Sequence, residues 1–216
     1  MAERPVFVPS TTGSQLVQEV QVRFPWHPGL APSQKKKNVF ELHHAALARG
    51  LGPLLEISSK SELEVGQKLS AFHLKIEAEG EMTTVECAFQ GSKVFESGGP
   101  FPDLFRKTSK EAKRDTRIRE SGRLIGFKFE GRNYPISPLT VFYDWLYFKA
   151  LYPHREWIER RDEWAGFTDI EFNPERSINC QARSFAVFIS LMKRNILEKT
   201  MSSFDEFKSQ MQAASI

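Results

Sequence analysis

The segment VECAFQGSKVF, residues 85–95, places three polar side chains within a run of apolar ones. Glu86, Gln90 and Lys93 stand at positions i, i+4 and i+7, which share one face of an α-helix. The spacing therefore predicts an apolar helix that carries a carboxylate, an amide and an amine along one stripe. Burial raises the pKa of a carboxyl group and lowers that of a lysine, which suits acid–base or nucleophilic chemistry. The pattern alone also fits a buried Glu–Lys pair that only joins two elements.

The composition is that of a globular protein. The chain has 216 residues, 40% of them hydrophobic, which is enough for one sizeable domain. No apolar run approaches 18 residues and the first residues lack an apolar signal-peptide region, so we expect neither a membrane span nor secretion. Two cysteines, Cys87 and Cys180, do not form a disulfide framework. These features predict a cytoplasmic protein.

The positive charge is concentrated in residues 105–123. This segment holds eight Lys and Arg residues against three Asp and Glu, whereas the net charge of the whole chain is +3. A short basic segment on a nearly neutral protein suits a phosphate-bearing ligand better than general adhesion to nucleic acid. From charge alone, a solvated helix face explains the segment equally well.

The pattern along the chain predicts an α+β fold in which helices are in the majority. Alternation of apolar and polar residues predicts a strand over 17–24 and hairpins over 70–87 and 123–136. SGGP, residues 97–100, is expected to end the first helix, and an almost wholly apolar helix is predicted over 177–197. The predicted helix N-caps are Ser33, Ser137 and Ser203. Residues 1–66 are expected to form an extension packed on a mainly helical core of residues 67–216, within one structural domain.

Two further sets of residues are candidates for ligand binding. Asn179 and Arg183 are four positions apart at the start of the last long apolar helix, where free backbone N–H groups favour an anion. Helix capping by Ser177 or Asn179 together with a salt bridge would explain the same pattern. Trp26, in a proline-rich loop, and Phe72 are able to stack on a base or sugar, although such residues also serve simply as core.

Several common catalytic and metal-binding motifs are absent from the sequence. It contains no Gly-rich phosphate loop, no dinucleotide fingerprint and no nucleophile elbow. Cys87 and Cys180 stand alone, and His43 and His44 are adjacent, so that they point in different directions on a helix. We therefore expect no metal site.

A series of short blocks nevertheless occurs in a characteristic order. The blocks are Ser70-Ala71-Phe72, Glu86 with Gln90 and Lys93, Ala112-Lys113, Asp169, and Asn179 followed by Leu191-Met192 and Arg194. Together they resemble the NADAR family of YbiA-like N-glycosidases over about residues 70–197. Ala71 stands where the family has Asn, and residues 180–183 replace a small Gly-rich step. These differences argue against the substrate of the riboflavin-pathway members, a ribosylamino-pyrimidine phosphate.

The N-terminal part of the chain resembles one branch of that family. VRFPWHPGLAPSQKKKN and LLEISSKSE are similar to the bacterial members associated with DNA ADP-ribosyltransferase toxins. The resemblance implies an antitoxin that removes ADP-ribose from guanine bases of DNA, with the cognate toxin as a partner. An N-glycosidase of a small phosphorylated N-riboside and a non-catalytic binder of toxin or nucleic acid are the alternatives.

The resemblance also implies roles for individual residues. Glu86, Lys93 and Asp169 are predicted to be catalytic, with Lys93 either attacking the ribose C1″ or holding a phosphate. The predicted ligand-binding residues are Ser70, Phe72, Gln90, Lys113, Arg114, Asn179, Arg183 and Trp26. No metal or redox cofactor is required, and ADP-ribose is the expected ligand and product. Because the base lies in DNA, the substrate would be a single strand or an extruded nucleotide.

Overall fold

The computed structural model describes residues 1–29, 31–161, 163–175 and 177–213. Helices and small sheets both contribute, so the predicted α+β class is confirmed. The chain divides into two compact units: the first is Met1–Ser70 with His154–Ile216, and the second is Ala71–Pro153. The predicted division into an extension and a core at residue 66 stays a prediction.

The strands and helices lie as follows. The strands are β1 (Ala2–Pro9), β2 (Val17–Phe24), β3 (Leu54–Glu56), β4 (Lys75–Ala78), β5 (Glu81–Thr84), β6 (Lys93–Phe95), β7 (Leu124–Phe129), β8 (Arg132–Tyr134) and β9 (Gly166–Thr168). The helices are α1 (Pro32–Leu47), α2 (Glu64–Lys68), α3 (Val85–Gly91), α4 (Ser109–Arg114), α5 (Arg117–Glu120), α6 (Val141–Leu151), α7 (Arg155–Glu159), α8 (Gln181–Lys193), α9 (Leu197–Thr200) and α10 (Phe204–Ala213), with 3-10 turns at Pro102–Arg106 and Tyr152–His154. Within the described residues, no helix is both long and apolar enough to cross a membrane.

The first unit is built on a four-stranded sheet with the order β2-β1-β9-β3. β1 pairs antiparallel with β2 along its whole length, and β3 runs parallel to β9. Helix α1 packs on this sheet through a buried apolar cluster that also includes Ile170. The sheet thus carries the end of β9, and with it Asp169, into the interior of the unit.

Arg194 fixes the loop between β1 and β2 in the first unit. Its guanidinium donates hydrogen bonds to the backbone carbonyls of Ser10, Thr12, Gly13 and Gln15 at 2.6–3.0 Å. The planar array of five N–H donors of arginine matches such a ring of carbonyl oxygens, whereas lysine offers a single point charge. This arginine of the Leu-Met-Arg block therefore has a structural role.

The second unit is organised around helix α3, all seven residues of which are buried. Thr84 caps the helix, because its hydroxyl accepts a hydrogen bond from the N–H of Cys87 at 3.2 Å. Aromatic rings surround the helix: Phe89 lies edge-on to Tyr143 of α6 at 5.3 Å, and Phe127 stacks on Phe142 at 4.4 Å. A helix of this length has little stability of its own, so this packing holds it in place.

Helix α3 ends earlier than the sequence predicts. It closes at Gly91 and Ser92, and Lys93 is the first residue of strand β6, so Lys93 does not share a helical stripe with Glu86 and Gln90. The N–H of Lys128 donates to the carbonyl oxygen of Ser92 at 2.7 Å, and β6 then pairs antiparallel with β7. Pairing with a strand about 30 residues away in sequence therefore determines the conformation of Lys93, although the local spacing is that of a helix. The prediction that SGGP ends the helix is wrong for the same reason.

Other predictions of local structure are confirmed in part. The strand over 17–24 and both hairpins are present. Ser203 is an N-cap as predicted, since its hydroxyl accepts from the N–H of Glu206. The caps at Ser33 and Ser137 are wrong, because α1 begins at Pro32 without a side-chain cap and α6 begins only after Thr140, at φ 75°.

Gly91 gives a direct test of the packing around α3. A Cβ at this position would lie 2.5 Å from Cε1 of Phe105 and 2.9 Å from the carbonyl oxygen of Phe101. We expect Gly91→Ala to lower the free energy of unfolding by about 1–3 kcal/mol, as overpacking does. Urea denaturation measures the change.

The matched control is Gly126→Ala in strand β7. There the nearest atom to a new Cβ is the carbonyl oxygen of Tyr134, at an ordinary contact distance of 3.4 Å. We expect the free energy of unfolding of this variant to stay within about 1 kcal/mol of the wild-type value. Equal effects of the two substitutions would contradict the account of α3 given above.

Candidate active site

Glu86 and Gln90 form a buried polar pair on helix α3. Glu86 is 6% exposed and Gln90 is 7% exposed. The Nε2 of Gln90 donates a hydrogen bond to Oε1 of Glu86 at 3.0 Å, and the backbone N–H of Glu86 donates to the carbonyl oxygen of Ala71 at 2.9 Å. Oε1 of Gln90 is buried and has no hydrogen-bond partner among the described residues. An unpaired buried acceptor costs about 1–3 kcal/mol, so this oxygen suits a donor group on a ligand.

Lys93 contributes an amine to the same region. Burial lowers the pKa of Lys93 to about 8, the carboxylate of Glu86 opposes this shift, and the positive charge of Lys113 adds to it. The Nζ atom lies 4.8 Å from the centroid of the Phe89 ring. A lysine in this environment carries a larger fraction of neutral, nucleophilic amine near pH 7 than a solvated lysine does.

Helix α4 brings Lys113 to Phe72. The helix begins with a capping box, in which Thr108 and Glu111 exchange hydrogen bonds. The Nζ of Lys113 lies 5.1 Å from the centroid of the Phe72 ring, and the hydroxyl of Ser109 donates to the carbonyl oxygen of Phe72 at 2.9 Å. Phe72 is partly buried and Lys113 is exposed, so both side chains are accessible to a ligand.

The second unit therefore brings together five of the predicted site residues. They are Phe72, Glu86, Gln90, Lys93 and Lys113. Arg114, next to Lys113 on helix α4, is exposed. Elsewhere in the basic segment, Arg106, Arg117 and Arg123 form ion pairs with acidic side chains. The charge of the segment is thus partly neutralised within the protein, which argues for local ligand contacts rather than a broad nucleic-acid surface.

Asp169 lies in the first unit, directly after strand β9, and is 9% exposed. Its Oδ2 accepts a hydrogen bond from Nε2 of Gln181 at 3.0 Å, and its Oδ1 accepts from the N–H of Glu171 at 3.0 Å. Burial and the nearby charge of Glu56 raise the pKa of Asp169 to about 8. Asp169 therefore holds a proton at neutral pH, as a general acid must.

The sequence reasoning did not identify Gln181 or Glu56. Glu56 is the single acidic residue in the apolar run PLLEIS, and that isolation is the one signal that could have marked it. Gln181 is the first residue of helix α8, and nothing in its sequence context distinguishes it.

Two further predicted residues of the first unit make contacts within the protein. The Nε of Arg183 lies 3.5 Å from Oε1 of Glu19. The ring of Trp26 has Arg4 at 5.3 Å and Lys35 at 5.6 Å over its face. Their ligand-binding roles stay predictions.

Ser70 and Asn179 are the remaining predicted residues. Ser70 is completely buried, and its N–H donates to the carbonyl oxygen of Gln67. Asn179 precedes helix α8 rather than lying on it, so the helical i, i+4 relation to Arg183 is wrong. The Oδ1 of Asn179 is buried and has no hydrogen-bond partner among the described residues. Both roles likewise stay predictions.

Comparison with protein families gives a match over nearly the whole chain. Residues 2–216 match the family described as the DarT1-associated NADAR antitoxin. The chain belongs to this family. Comparison with curated proteins finds no match.

Membership in the family confirms the resemblance drawn from the short sequence blocks and from the N-terminal segments. It supports the role of an antitoxin associated with a DarT toxin. The wider NADAR family is known for N-glycosidase activity. The second unit of the NADAR antitoxin contains a buried Glu–Gln pair and a desolvated lysine. The first unit separately contains a buried aspartic acid with a raised pKa.

The electrostatic environment of Lys93 predicts how its amine titrates. We expect pH-dependent acetylation of Lys93, followed by peptide mass spectrometry, to show a midpoint near pH 8. Because Glu86 favours the charged amine, Glu86→Gln should lower the midpoint by about one pH unit. Because Lys113 disfavours it, Lys113→Ala should raise the midpoint.

The exposed Lys37, on helix α1 of the first unit, serves as the reference lysine in each variant. Both substitutions should leave the acetylation profile of Lys37 unchanged. If the two variants shifted Lys93 in the same direction, the electrostatic coupling described above would be wrong.

Proposed function

We propose that this NADAR antitoxin hydrolyses the N-glycosidic bond between ADP-ribose and guanine in DNA, and so reverses the modification made by an associated DNA ADP-ribosyltransferase toxin. The main support is the desolvated Lys93 amine within the electrostatic influence of the buried Glu86 carboxylate, in a chain of the DarT1-associated NADAR antitoxin family. An amine and a carboxylate in such a setting suit glycosidic bond cleavage, in which positive charge develops at the sugar carbon.

In the proposed reaction the bond between C1″ of the ribose and the guanine nitrogen breaks, and its electron pair leaves with guanine. Guanine takes up a proton at that nitrogen. Water finally supplies a hydroxyl group to C1″ and a proton to the protein. The products are DNA with unmodified guanine and free ADP-ribose.

Lys93 is proposed to attack C1″ as its neutral amine. The attack displaces guanine and gives a glycosylamine, which opens to a Schiff base between Nζ and C1″. Hydrolysis of the Schiff base then releases ADP-ribose and restores the amine. A pKa of about 8 suits this role, because about a tenth of the amine is unprotonated at pH 7, far more than for a solvated lysine.

Glu86 is proposed to accept the proton that Lys93 loses and to stabilise positive charge at C1″. Gln90 supports it, since its Nε2 holds one carboxylate oxygen of Glu86 and fixes the orientation of the group. The unpaired Oε1 of Gln90 is proposed to accept a hydrogen bond from a ribose hydroxyl.

Asp169 is proposed to donate the proton that guanine takes up, because its raised pKa keeps it in the acid form at neutral pH.

The pyrophosphate is proposed to bind to three cationic side chains, those of Lys113, Arg114 and Arg183. Phe72 is proposed to stack on a base with the support of Lys113, and Trp26 is a second stacking candidate. Ser70 and Asn179 complete the proposed ligand-binding residues.

The decisive assay uses a single-stranded oligonucleotide that carries ADP-ribosyl-guanine. We expect the wild-type protein to release ADP-ribose, and Glu86→Gln and Lys93→Ala to lower the rate by about 10²–10⁴-fold, as the loss of acid–base or nucleophilic groups does. Lys128→Ala, which changes an exposed lysine of strand β7, should retain the wild-type rate. Release is measured by chromatography.

The same assay separates the alternatives. Failure of the wild-type protein to release ADP-ribose, combined with cleavage of a small phosphorylated N-riboside, would give the enzyme a different substrate. Salt-sensitive binding of the oligonucleotide without cleavage would indicate a non-catalytic binder.

The covalent role of Lys93 has its own test. Borohydride added during turnover reduces a Schiff base to a stable amine, so we expect the wild-type protein to gain the mass of reduced ADP-ribose on the peptide that contains Lys93. Lys93→Arg should not be labelled. Turnover without trapping would assign Lys93 to electrostatic or phosphate contacts instead.

A further inference from the structure

A second carboxylate, Glu56, lies in the interior of the first unit and has no role in the proposed mechanism. It belongs to strand β3 and is 2% exposed. Burial raises the pKa of Glu56 above its usual value, and hydrogen bonds from Ser58, Ile170 and Thr168 oppose part of this rise. An unpaired buried carboxylate would be strongly destabilising, so these hydrogen bonds are what allow Glu56 to lie in the interior.

The hydrogen bonds of Glu56 bracket Asp169 on both sides. Its Oε2 accepts from the hydroxyl of Thr168 at 2.7 Å, and its Oε1 accepts from the N–H of Ile170 at 2.9 Å. Ser58 donates a third hydrogen bond, to Oε1, at 2.6 Å. Glu56 thus fixes the residue before Asp169 and the residue after it.

His43 extends the chain of hydrogen bonds toward the surface. Its Nε2 lies 2.8 Å from the hydroxyl oxygen of Thr168, and burial lowers the pKa of His43 to about 4. The ring is therefore neutral at physiological pH. Because the hydroxyl proton of Thr168 is directed to Glu56, the tautomer that fits has the proton on Nε2 and donates it to Thr168. His43 thereby supports a negatively charged Glu56.

The two carboxyl groups are not equivalent. From the residues that the structure describes, Glu56 accepts three hydrogen bonds, whereas Asp169 accepts two, from Gln181 and from the N–H of Glu171. Two carboxyl groups close together in an interior do not both ionise readily, and the one with more donors keeps the negative charge. Glu56 is therefore the ionised member, and Asp169 holds the proton.

We propose that Glu56 is the positioning residue of Asp169: it fixes the backbone on either side of Asp169, and its buried negative charge keeps Asp169 in the acid form that protonates the departing base. The catalytic part of this inference rests on the proposed N-glycosidase function. The proton leaves Asp169 for the guanine nitrogen as the C1″–N bond breaks, and water returns a proton to the Asp169 carboxylate before the next turnover.

Other ionisable groups near Asp169 have smaller effects. Glu171 also disfavours ionisation of Asp169, but the Nζ of Lys35 lies 3.3 Å from Oε1 of Glu171 and offsets its charge. Burial and the charge of Asp169 raise the pKa of Cys180 well above its usual value, so the thiol stays neutral. Glu56 is thus the principal charge that acts on Asp169.

The test is a titration of the Asp169 carboxyl group by ¹³C NMR, on whole protein labelled at the aspartate carboxyl carbon and assigned with Asp169→Asn. We expect the wild-type group to titrate near pH 8. Glu56→Gln keeps the shape of the side chain but removes its charge, so the midpoint should fall by about 1–3 pH units. Glu171→Gln is the matched control and should shift it much less.

Ser58→Ala gives a second route to the same result. Loss of the 2.6 Å hydrogen bond makes Glu56 harder to ionise, so the Asp169 midpoint should again fall, by less than in Glu56→Gln. If circular dichroism shows that Glu56→Gln is unfolded, Ser58→Ala decides the matter. A wild-type midpoint near 4, or one that both variants leave unchanged, would overturn the proposal.

These titrations need no turnover, so they stand apart from the proposed function. With an active enzyme, the pH profile of kcat adds a further test. Because the reaction needs a neutral Lys93 and a protonated Asp169, wild-type kcat should pass through a maximum near pH 8. In Glu56→Gln the alkaline limb, which reports Asp169, should move to lower pH, whereas the acid limb, which reports Lys93, should stay in place. An equal loss of kcat at every pH would leave Glu56 with a structural role only and would contradict the inference.

Discussion

The burial of helix α3 is the constraint on which the second unit depends. All seven of its residues are inside, so its two polar side chains, Glu86 and Gln90, must find partners away from water. They bind each other, and the helix is held by close packing at Gly91 rather than by its own length. The same exclusion of water lowers the pKa of Lys93. Packing and reactivity thus have a single physical origin, which is desolvation.

Desolvation also determines the properties of a pair of carboxyl groups in the first unit. Glu56 and Asp169 are both buried, and burial raises the pKa of each. The hydrogen bonds to Glu56 are the basis for assigning the negative charge to it in the inference above. Strand β3 contributes one member of the pair, and the end of β9 contributes the other, so the parallel pairing of these strands creates the arrangement.

The sequence pattern predicted correctly those elements whose local periodicity is the periodicity of the structure that they adopt. The strand over 17–24 and the hairpin that turns at Gly131 are found where expected. The pattern does not predict β1, because Pro5 and Pro9 interrupt an apolar run and proline is usually unfavourable inside a sheet. It places Lys93 on a helix because three residues at i, i+4 and i+7 are the mark of a helical face, and local spacing carries no information about strand β7.

The sequence by itself determined the α+β class, the ordered NADAR blocks and the polar residues embedded in apolar segments, because composition, periodicity and motif order are local properties of the chain. Only the tertiary structure decided that Lys93 belongs to a strand, that Lys113 and Phe72 meet, and that Glu56 brackets Asp169. Those facts depend on contacts between residues up to 114 positions apart. Desolvation and charge coupling act through space, so the chemical state of each buried group appears only once the chain has folded.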